Sequence, residues 1–179
     1  MLTLKFNLVL IGFMGTGKTS LGRMLAFKLG CAFVDLDQKI EADSGMSIPD
    51  IFRSHGENYF RQLEHQAVEE VSKRRGIVIA TGGGTVKDPS NVELLKNNGL
   101  LVCLTCSVDE LLTRTAIKGE RPVLDSQHQA RGDRRAAIEK ILDERRQFYD
   151  QADYKIDTTD WSPMKLVDDI IKIVRSRES

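Results

Sequence analysis

Nine residues near the start of the chain have the types and the spacing needed to hold a polyphosphate. Residues 12–20 read GFMGTGKTS and match the phosphate-loop pattern G-x-x-x-x-G-K-[ST] at every fixed position. The glycines let the chain curl without Cβ clashes, so that several backbone N–H groups converge on phosphate oxygens. Lys18 is expected to reach the β- and γ-phosphates, and the Thr19 hydroxyl is expected to ligate Mg²⁺. The predicted nucleotide-binding residues of this loop are Gly12, Gly15, Thr16, Gly17, Lys18, Thr19 and Ser20.

Such a loop must be held between a strand and a helix, and the flanking sequence has both patterns. Residues 8–11 read LVLI, a short apolar run typical of a buried strand. From Lys18 onward, Leu21, Leu25 and Leu29 recur at helical spacing. The helix N-terminus would add its partial positive charge to the loop, so this context predicts a nucleoside triphosphate site.

Two carboxylates follow the next apolar segment. Residues 32–37 read AFVDLD, which predicts a second short strand ending in Asp35 and Asp37. On a strand, residues two apart share a face, and open α/β sheets bind their ligands at the carboxyl ends of strands. Both carboxylates are therefore candidates for metal or substrate binding. The alternative is a solvated strand end followed by a helix cap.

A glycine triplet follows a third strand pattern. Residues 77–81 read IVIAT and lead directly into Gly82, Gly83 and Gly84. Three successive glycines lose much backbone entropy on folding, so the triplet indicates a place where the backbone closely approaches a ligand. A flexible turn before the helix predicted from Pro89 is the alternative.

Two arginines are candidates for anion binding, although each has an ordinary interpretation. Arg61 lies beside the apolar stripe of a helix predicted over 57–75, where it could simply pair with Glu57 one turn earlier. Arg145 and Arg146 lie on the polar side of a helix predicted over 134–152. Taken alone, they are expected to be solvated surface charges.

The order of elements predicts an α/β fold. Strands predicted at 8–11, 32–37, 77–81, 100–106 and 154–157 alternate with helices, which indicates a five-stranded parallel sheet in a three-layer α/β/α arrangement. Residues 117–133 are polar and lack a continuous apolar stripe, a pattern that favours a closing lid or a disordered loop.

Bulk composition narrows the function classes. Lys plus Arg and Asp plus Glu both number 26, so no global charge attracts nucleic acid or an anionic membrane. Three cysteines, an odd number, argue against a disulfide framework. The first residues lack a signal-peptide pattern and no stretch approaches a membrane span, so a cytoplasmic protein is expected.

Taken in order, these features resemble the motif series of the shikimate kinases, a family of nucleoside-monophosphate-kinase-like P-loop kinases. The series covers nearly the whole chain as a single kinase domain over 1–179, with a phosphate loop at 12–19, a substrate-binding segment at about 35–64 and a lid at about 116–132. The residues that carry it are Gly12 to Thr19, Asp35-Leu36-Asp37, Gly56-Glu57, Phe60-Arg61, Glu64, Gly82-Gly83-Gly84, Arg121-Pro122, Arg145 and Tyr149.

The resemblance implies that MgATP phosphorylates the 3-hydroxyl of shikimate, giving shikimate 3-phosphate and ADP in the biosynthesis of chorismate and aromatic amino acids. It assigns the metal to Thr19 and, through water, to Asp35. Asp37 would grip the substrate hydroxyls and accept the proton. For the substrate, the resemblance assigns the carboxylate clamp to Arg61 and Arg145 and a backbone contact to Gly83. It assigns catalysis to Asp37, Lys18 and Arg121, and contacts with ATP to Arg114 and Arg121. A monomer that binds one Mg²⁺ and only small molecules is expected.

The sequence differs from the family pattern at two positions, and it leaves two other functions open. Val123 replaces a leucine that family lids often carry, and Trp161 lies in a loop near where the family holds adenine. A gluconate-type or nucleotide kinase of the same fold would use the arginines for a different anion. A nucleotide-controlled switch without turnover is the alternative outside enzymes.

Overall fold

The computed structural model describes residues 4–116 and 131–178. The strands are β1 Asn7–Gly12, β2 Phe33–Asp35, β3 Val78–Ala80, β4 Gly99–Thr105 and β5 Tyr154–Asp157. The helices are α1 Lys18–Leu29, α2 Leu36–Ser44, α3 Ile48–Ser72, α4 Pro89–Asn97, α5 Val108–Ala116, α6 Arg131–Tyr149 and α7 Pro163–Glu178. The five strands form one parallel sheet in the order β2-β3-β1-β4-β5, so the predicted α/β fold is confirmed.

Helices cover both faces of the sheet because the strands are apolar on both sides. Side chains alternate along each strand, and in β1 Val9 and Ile11 enter one core while Leu8 and Leu10 enter the other. The first core is closed by α2 to α6, and the second is closed by α1 and α7. Burial raises the pKa of the Cys103 thiol in β4 to about 11, which keeps it a protonated, inert core residue.

The second strand ends earlier than the sequence predicts. The prediction of a strand over 32–37 is wrong beyond Asp35, because α2 begins at Leu36. The Asp35 side chain caps this helix by accepting hydrogen bonds from the backbone N–H groups of Asp37 and Gln38, at 3.0 and 3.2 Å. Those bonds satisfy first-turn donors, so the chain enters a helix where an extended strand was expected. Asp37 therefore lies in the first turn of α2.

Three adjacent strands end at one edge of the sheet and deliver the segments of interest there. β1 leads into the phosphate loop, β2 ends at Asp35, and β3 leads into the glycine triplet. The long helix α3 is interrupted at Gly56, whose φ of 79° breaks the helical path before Arg61. In the part of the chain that the structure describes, every helix is too short or too polar to cross a lipid bilayer.

Candidate active site

A cleft with a volume of about 730 Å³ opens above the carboxyl ends of β1, β2 and β3. That volume is in the range of sites that enclose small-molecule ligands. Eleven of the residues predicted for nucleotide, metal or substrate binding line it: Gly15, Gly17, Lys18, Thr19, Ser20, Asp35, Asp37, Arg61, Gly83, Arg114 and Arg145. They come from segments as distant as the first and the sixth helix, so the fold brings them together.

The phosphate loop adopts a conformation that depends on its glycines. Gly12, Gly15 and Gly17 all have positive φ, at 137°, 82° and 99°. A Cβ on Gly12 would also lie 2.3 Å from the Leu104 carbonyl oxygen of β4. The buried Lys18 ammonium folds over the loop and donates to the carbonyls of Gly12 and Phe13, at 2.7 and 2.9 Å. This arrangement presents a positive charge and the N-terminus of α1 at the same point of the cleft.

Thr19 and Asp35 form the one arrangement in the described chain that we assign to a metal. The Thr19 hydroxyl donates to Asp35 Oδ2 at 2.5 Å, while Asp35 Oδ1 caps α2. A hydroxyl oxygen beside a fixed carboxylate is a hard-oxygen donor set, which suits Mg²⁺ held mainly by phosphates and water. The residues present therefore fit the metal that the sequence predicts.

Asp37 has the electrostatic environment of a proton acceptor. Its pKa is raised to about 6, chiefly by burial and also by the nearby charges of Asp35 and Glu64, while the Lys18 ammonium opposes the rise. The carboxylate lies against the glycine triplet, since a Cβ on Gly82 would be 3.0 Å from Asp37 Oδ1. Its pKa is thus close to the values that suit general bases near neutral pH.

The glycine triplet forms the floor of the cleft and packs closely against three charged side chains. A Cβ on Gly83 would lie 3.1 Å from Arg145 Nη1, and a Cβ on Gly84 would lie 2.8 Å from Arg61 Nη2. Gly82 faces Asp37 in the same way. Each glycine therefore makes room for one side chain of the cleft, which supplies a packing reason for the triplet that a flexible turn would not need.

Arg145 is buried, contrary to the surface position expected for it in isolation. Its residue exposure is 5%, and its Nη1 has no hydrogen-bond partner in residues 4–116 and 131–178. A buried donor without a partner is costly unless a ligand satisfies it. Tyr149, one turn later on α6, supports the neighbouring backbone by donating to the Gly83 carbonyl at 2.6 Å. The cleft is thus lined by a guanidinium with a buried donor that no group of the described residues satisfies.

Arg61 has both the ordinary partner and the cleft position considered for it. Its Nε and Nη2 donate to Glu57 Oε1 at 3.3 and 3.2 Å, and its Nη1 donates to Glu64 Oε1 at 2.7 Å. Glu57 is exposed, so that pair contributes little and a ligand can replace it. Glu64 is only 1% exposed and holds Arg61 from below.

Arg114 and Trp161 stand on the other side of the phosphate loop. Arg114 donates to the carbonyls of Thr158 and Thr159 through Nη2, at 2.5 and 3.1 Å, and its guanidinium lies 5.4 Å from the centre of the indole. The indole in turn covers Gly17, where a Cβ would come within 2.5 Å of it. A guanidinium and an aromatic ring beside the loop are suited to a planar base.

Some predicted residues do not face the cleft, and others were missed. Gly12 packs against β4, and the Thr16 hydroxyl turns inward to donate to the Phe13 carbonyl at 2.8 Å. Arg121, together with most of the predicted lid at 116–132, lies outside the described residues. Sequence reasoning missed the apolar wall of the cleft, formed by Met14, Ile48, Phe52 and Phe60. Phe60 was predicted as part of an apolar helix stripe and as a member of the family motif series, but neither prediction placed it in the wall of the cleft.

The family model for shikimate kinase matches residues 14–175 of this chain. A shikimate kinase of Persephonella marina is 38% identical over 169 residues, covering 94% of this chain and 99% of the relative. The structure of shikimate kinase from Acinetobacter baumannii in complex with shikimate superposes with a TM-score of 0.88 at 36% identity, covering 96% of this chain and 94% of that one.

A gluconokinase from Sinorhizobium meliloti superposes with a TM-score of 0.56 at 15% identity, covering 97% of this chain and 93% of that one, and this likeness shows the shared fold alone. The shikimate kinases named above match this chain with both a higher sequence identity and, for the structure, a higher TM-score than the gluconokinase does. On the family match over residues 14–175 and these relatives, the chain belongs to the shikimate kinase family.

Proposed function

We propose that this chain transfers the γ-phosphate of ATP to the 3-hydroxyl of shikimate, releasing ADP and shikimate 3-phosphate. The observation that carries the proposal is the pair of guanidiniums, Arg61 and Arg145, which converge with Asp37 on the glycine triplet beside the phosphate loop. Such a set binds a hydroxylated carboxylate within reach of a nucleotide. The family membership of the chain supports the same reaction.

On the acceptor side, Arg145 and Arg61 hold the carboxylate. Arg145 Nη1 gains the partner that it lacks in the described chain, and Arg61 exchanges its exposed partner Glu57 for the ligand. Hydrogen bonds to charged groups contribute about 1.5–3 kcal/mol each, so two arginines select an acid over a neutral polyol. Their fixed positions orient the ring so that one hydroxyl faces the phosphate loop.

On the reacting side, Asp37 accepts the proton of the attacking hydroxyl. The new bond forms between that oxygen and the γ-phosphorus, while the bond from phosphorus to the β–γ bridging oxygen breaks and ADP leaves. Lys18 and the N-terminus of α1 stabilise the charge of the transferring group. We propose Arg121 as a third positive group contributed by a lid at about 116–132, which closes over the phosphates and excludes water.

We propose that one Mg²⁺ is held by the Thr19 hydroxyl and, through water, by Asp35. This assignment is supported by the 2.5 Å contact between the two side chains and by the chemistry of the donor set. When bound, the ion would neutralise phosphate charge. We also propose that the chain acts as a monomer, in a single kinase domain whose cleft residues range from the phosphate loop to α6.

The experiment is an acceptor screen that measures ADP release from MgATP. Shikimate is expected to stimulate release, whereas gluconate and nucleoside monophosphates are expected to leave the background rate unchanged. Lys18→Ala provides the inactive control, since it removes the ammonium at the phosphate loop. A preference for gluconate or a nucleotide would contradict the proposal, and ADP release without any acceptor dependence would exclude a small-molecule kinase.

A further inference from the structure

A buried hydroxyl behind the floor of the cleft determines how Arg61 is held. Thr85 begins the short 3-10 turn Thr85–Lys87 that follows the glycine triplet, and it is fully buried. Its Oγ1 donates to Glu64 Oε2 at 2.7 Å. The other carboxylate oxygen, Oε1, accepts from Arg61 Nη1 at 2.7 Å. Glu64 therefore has one oxygen for each neighbour.

A hydrogen bond from α4 holds Thr85 in a fixed position. The Thr85 carbonyl accepts from Asn91 Nδ2 on α4 at 3.0 Å, and Asn91 is itself buried. The amide nitrogen of Asn91 is the donor in that bond, so its oxygen Oδ1 is an acceptor. In the 2.7 Å contact between Asn91 Oδ1 and His65 Nδ1, the donor is therefore His65 Nδ1. Thr85 is thus fixed between α3 and α4, and it transmits that position to Glu64.

The consequence concerns the geometry of the guanidinium. A carboxylate with two available oxygens prefers to grip an arginine through two parallel bonds. With Oε2 occupied by Thr85, Glu64 holds Arg61 through Nη1, and Nη2 remains directed along Gly84 toward Glu57. Glu57 is the exposed partner that a ligand carboxylate replaces, so the orientation of Nη2 is the one that the ligand needs.

We propose that Thr85 is a positioning residue for the acceptor, acting through Glu64 to keep Nη2 of Arg61 available to the substrate carboxylate. This inference rests on the proposed function, because it concerns the same carboxylate site. Thr85 does not itself line the cleft, although its partner Glu64 does, and Thr85 takes no part in phosphoryl transfer. Its loss should therefore affect acceptor affinity without affecting the chemical step.

The test compares Thr85→Val, which keeps the shape and removes the donor, with Thr85→Ser, which keeps the donor. We expect Thr85→Val to raise KM for shikimate about tenfold, the effect of one hydrogen bond to a charged group, with kcat and KM for ATP unchanged. Thr85→Ser should retain an almost normal KM. Thr85→Ala serves the same purpose if the valine variant fails to fold.

A double-mutant cycle separates positioning from general destabilisation. In an Arg61→Ala background, Thr85→Val should cause no further rise in KM, because the group on which it acts is gone. Ser72→Ala is the matched control, since it removes a different buried hydroxyl, on α3, which donates to the Glu69 carbonyl of its own helix at 2.9 Å. An unchanged KM in Thr85→Val, or an equal rise in the Arg61→Ala background, would overturn the inference. Absence of shikimate-dependent turnover in the unmodified chain would instead overturn the proposed function.

Discussion

The Gly84 backbone lies so close to Arg61 that a side chain of any size would displace the guanidinium. A Cβ on Gly84 would be 2.8 Å from Nη2 and 3.0 Å from Nη1, well inside ordinary contact. The φ of Gly84 is −109°, so alanine can adopt this backbone without strain. The glycine at this position is therefore required by the neighbouring side chain, since the backbone conformation would allow other residues.

Gly84→Ala should accordingly weaken acceptor binding while the fold persists. Displacing Arg61 removes about one charged hydrogen bond, so we expect KM for shikimate to rise about tenfold with KM for ATP unchanged. Steady-state kinetics with each substrate varied would measure both. Gly45→Ala is the control: Gly45 has positive φ, but a Cβ there would meet none of the surrounding described side chains within 4 Å, so this variant should lower stability and leave KM for shikimate unchanged. Equal effects of the two variants on KM would contradict the steric explanation.

Replacing Arg145 or Arg61 with alanine should chiefly raise KM for the acid. We expect the larger rise for Arg145, about 10- to 100-fold, because its buried Nη1 depends on the ligand for a partner. Arg146→Ala offers a matched control on the next residue of α6, whose side chain is 74% exposed. The assignment of the clamp would fail if Arg145→Ala and Arg146→Ala gave the same KM as the unmodified chain.

Asp37→Asn should abolish most turnover while leaving nucleotide binding intact. Removing one group that acts in the transition state costs on the order of 10²–10³ in kcat, and asparagine cannot accept the proton. Binding of ADP, measured by calorimetry, should stay near that of the unmodified chain because the phosphate loop is untouched. Near-normal turnover would remove Asp37 from the role of base.

The same substitution should stabilise the ligand-free protein above pH 6. Burial raises the pKa of Asp37 to about 6, so between about pH 4 and 6 the folded state retains a proton that the unfolded state has lost. The stability of the unmodified chain then falls as pH rises through that window, whereas asparagine has no charge to bury. We expect the free energy of unfolding of Asp37→Asn to exceed that of the unmodified chain by about 1 kcal/mol at pH 7 and to equal it at pH 4. The difference at pH 7 is smaller than the full pKa shift would give, because Asp37 is only half-buried and solvent screens its charge. Chemical denaturation at both pH values tests this, and a variant less stable at pH 7 would contradict it.

Trp161 should report nucleotide binding. It is the one tryptophan of the sequence, it is 39% exposed, and its indole covers Gly17 beside Arg114. We expect ADP to change its fluorescence and shikimate alone to change it little. Trp161→Ala should raise KM for ATP about 2- to 10-fold, the range of one aromatic contact, without affecting KM for shikimate. Fluorescence that is indifferent to ADP would place Trp161 outside the nucleotide site.

The segments of the chain that carry a local signal were predicted well. The phosphate loop and the alternation of strands and helices both depend on neighbouring residues, and the structure has each of them. The exception is the second strand, which was predicted to extend to residue 37. There, the choice between a strand and a helix cap depended on whether the Asp35 carboxylate turned back to its own backbone.

The sequence by itself determined the type of fold, the nucleotide-binding loop and the identity of the charged groups, because these follow from residue types at short spacing. Only the tertiary structure decided that Arg145 is buried, that each glycine of the triplet accommodates a different charged side chain, and that Thr85 fixes Glu64. Those relationships join residues that are 21 to more than 60 positions apart in the sequence. These residues come into contact because their segments pack together at the edge where three parallel strands end. No local sequence pattern shows that these distant segments are neighbours.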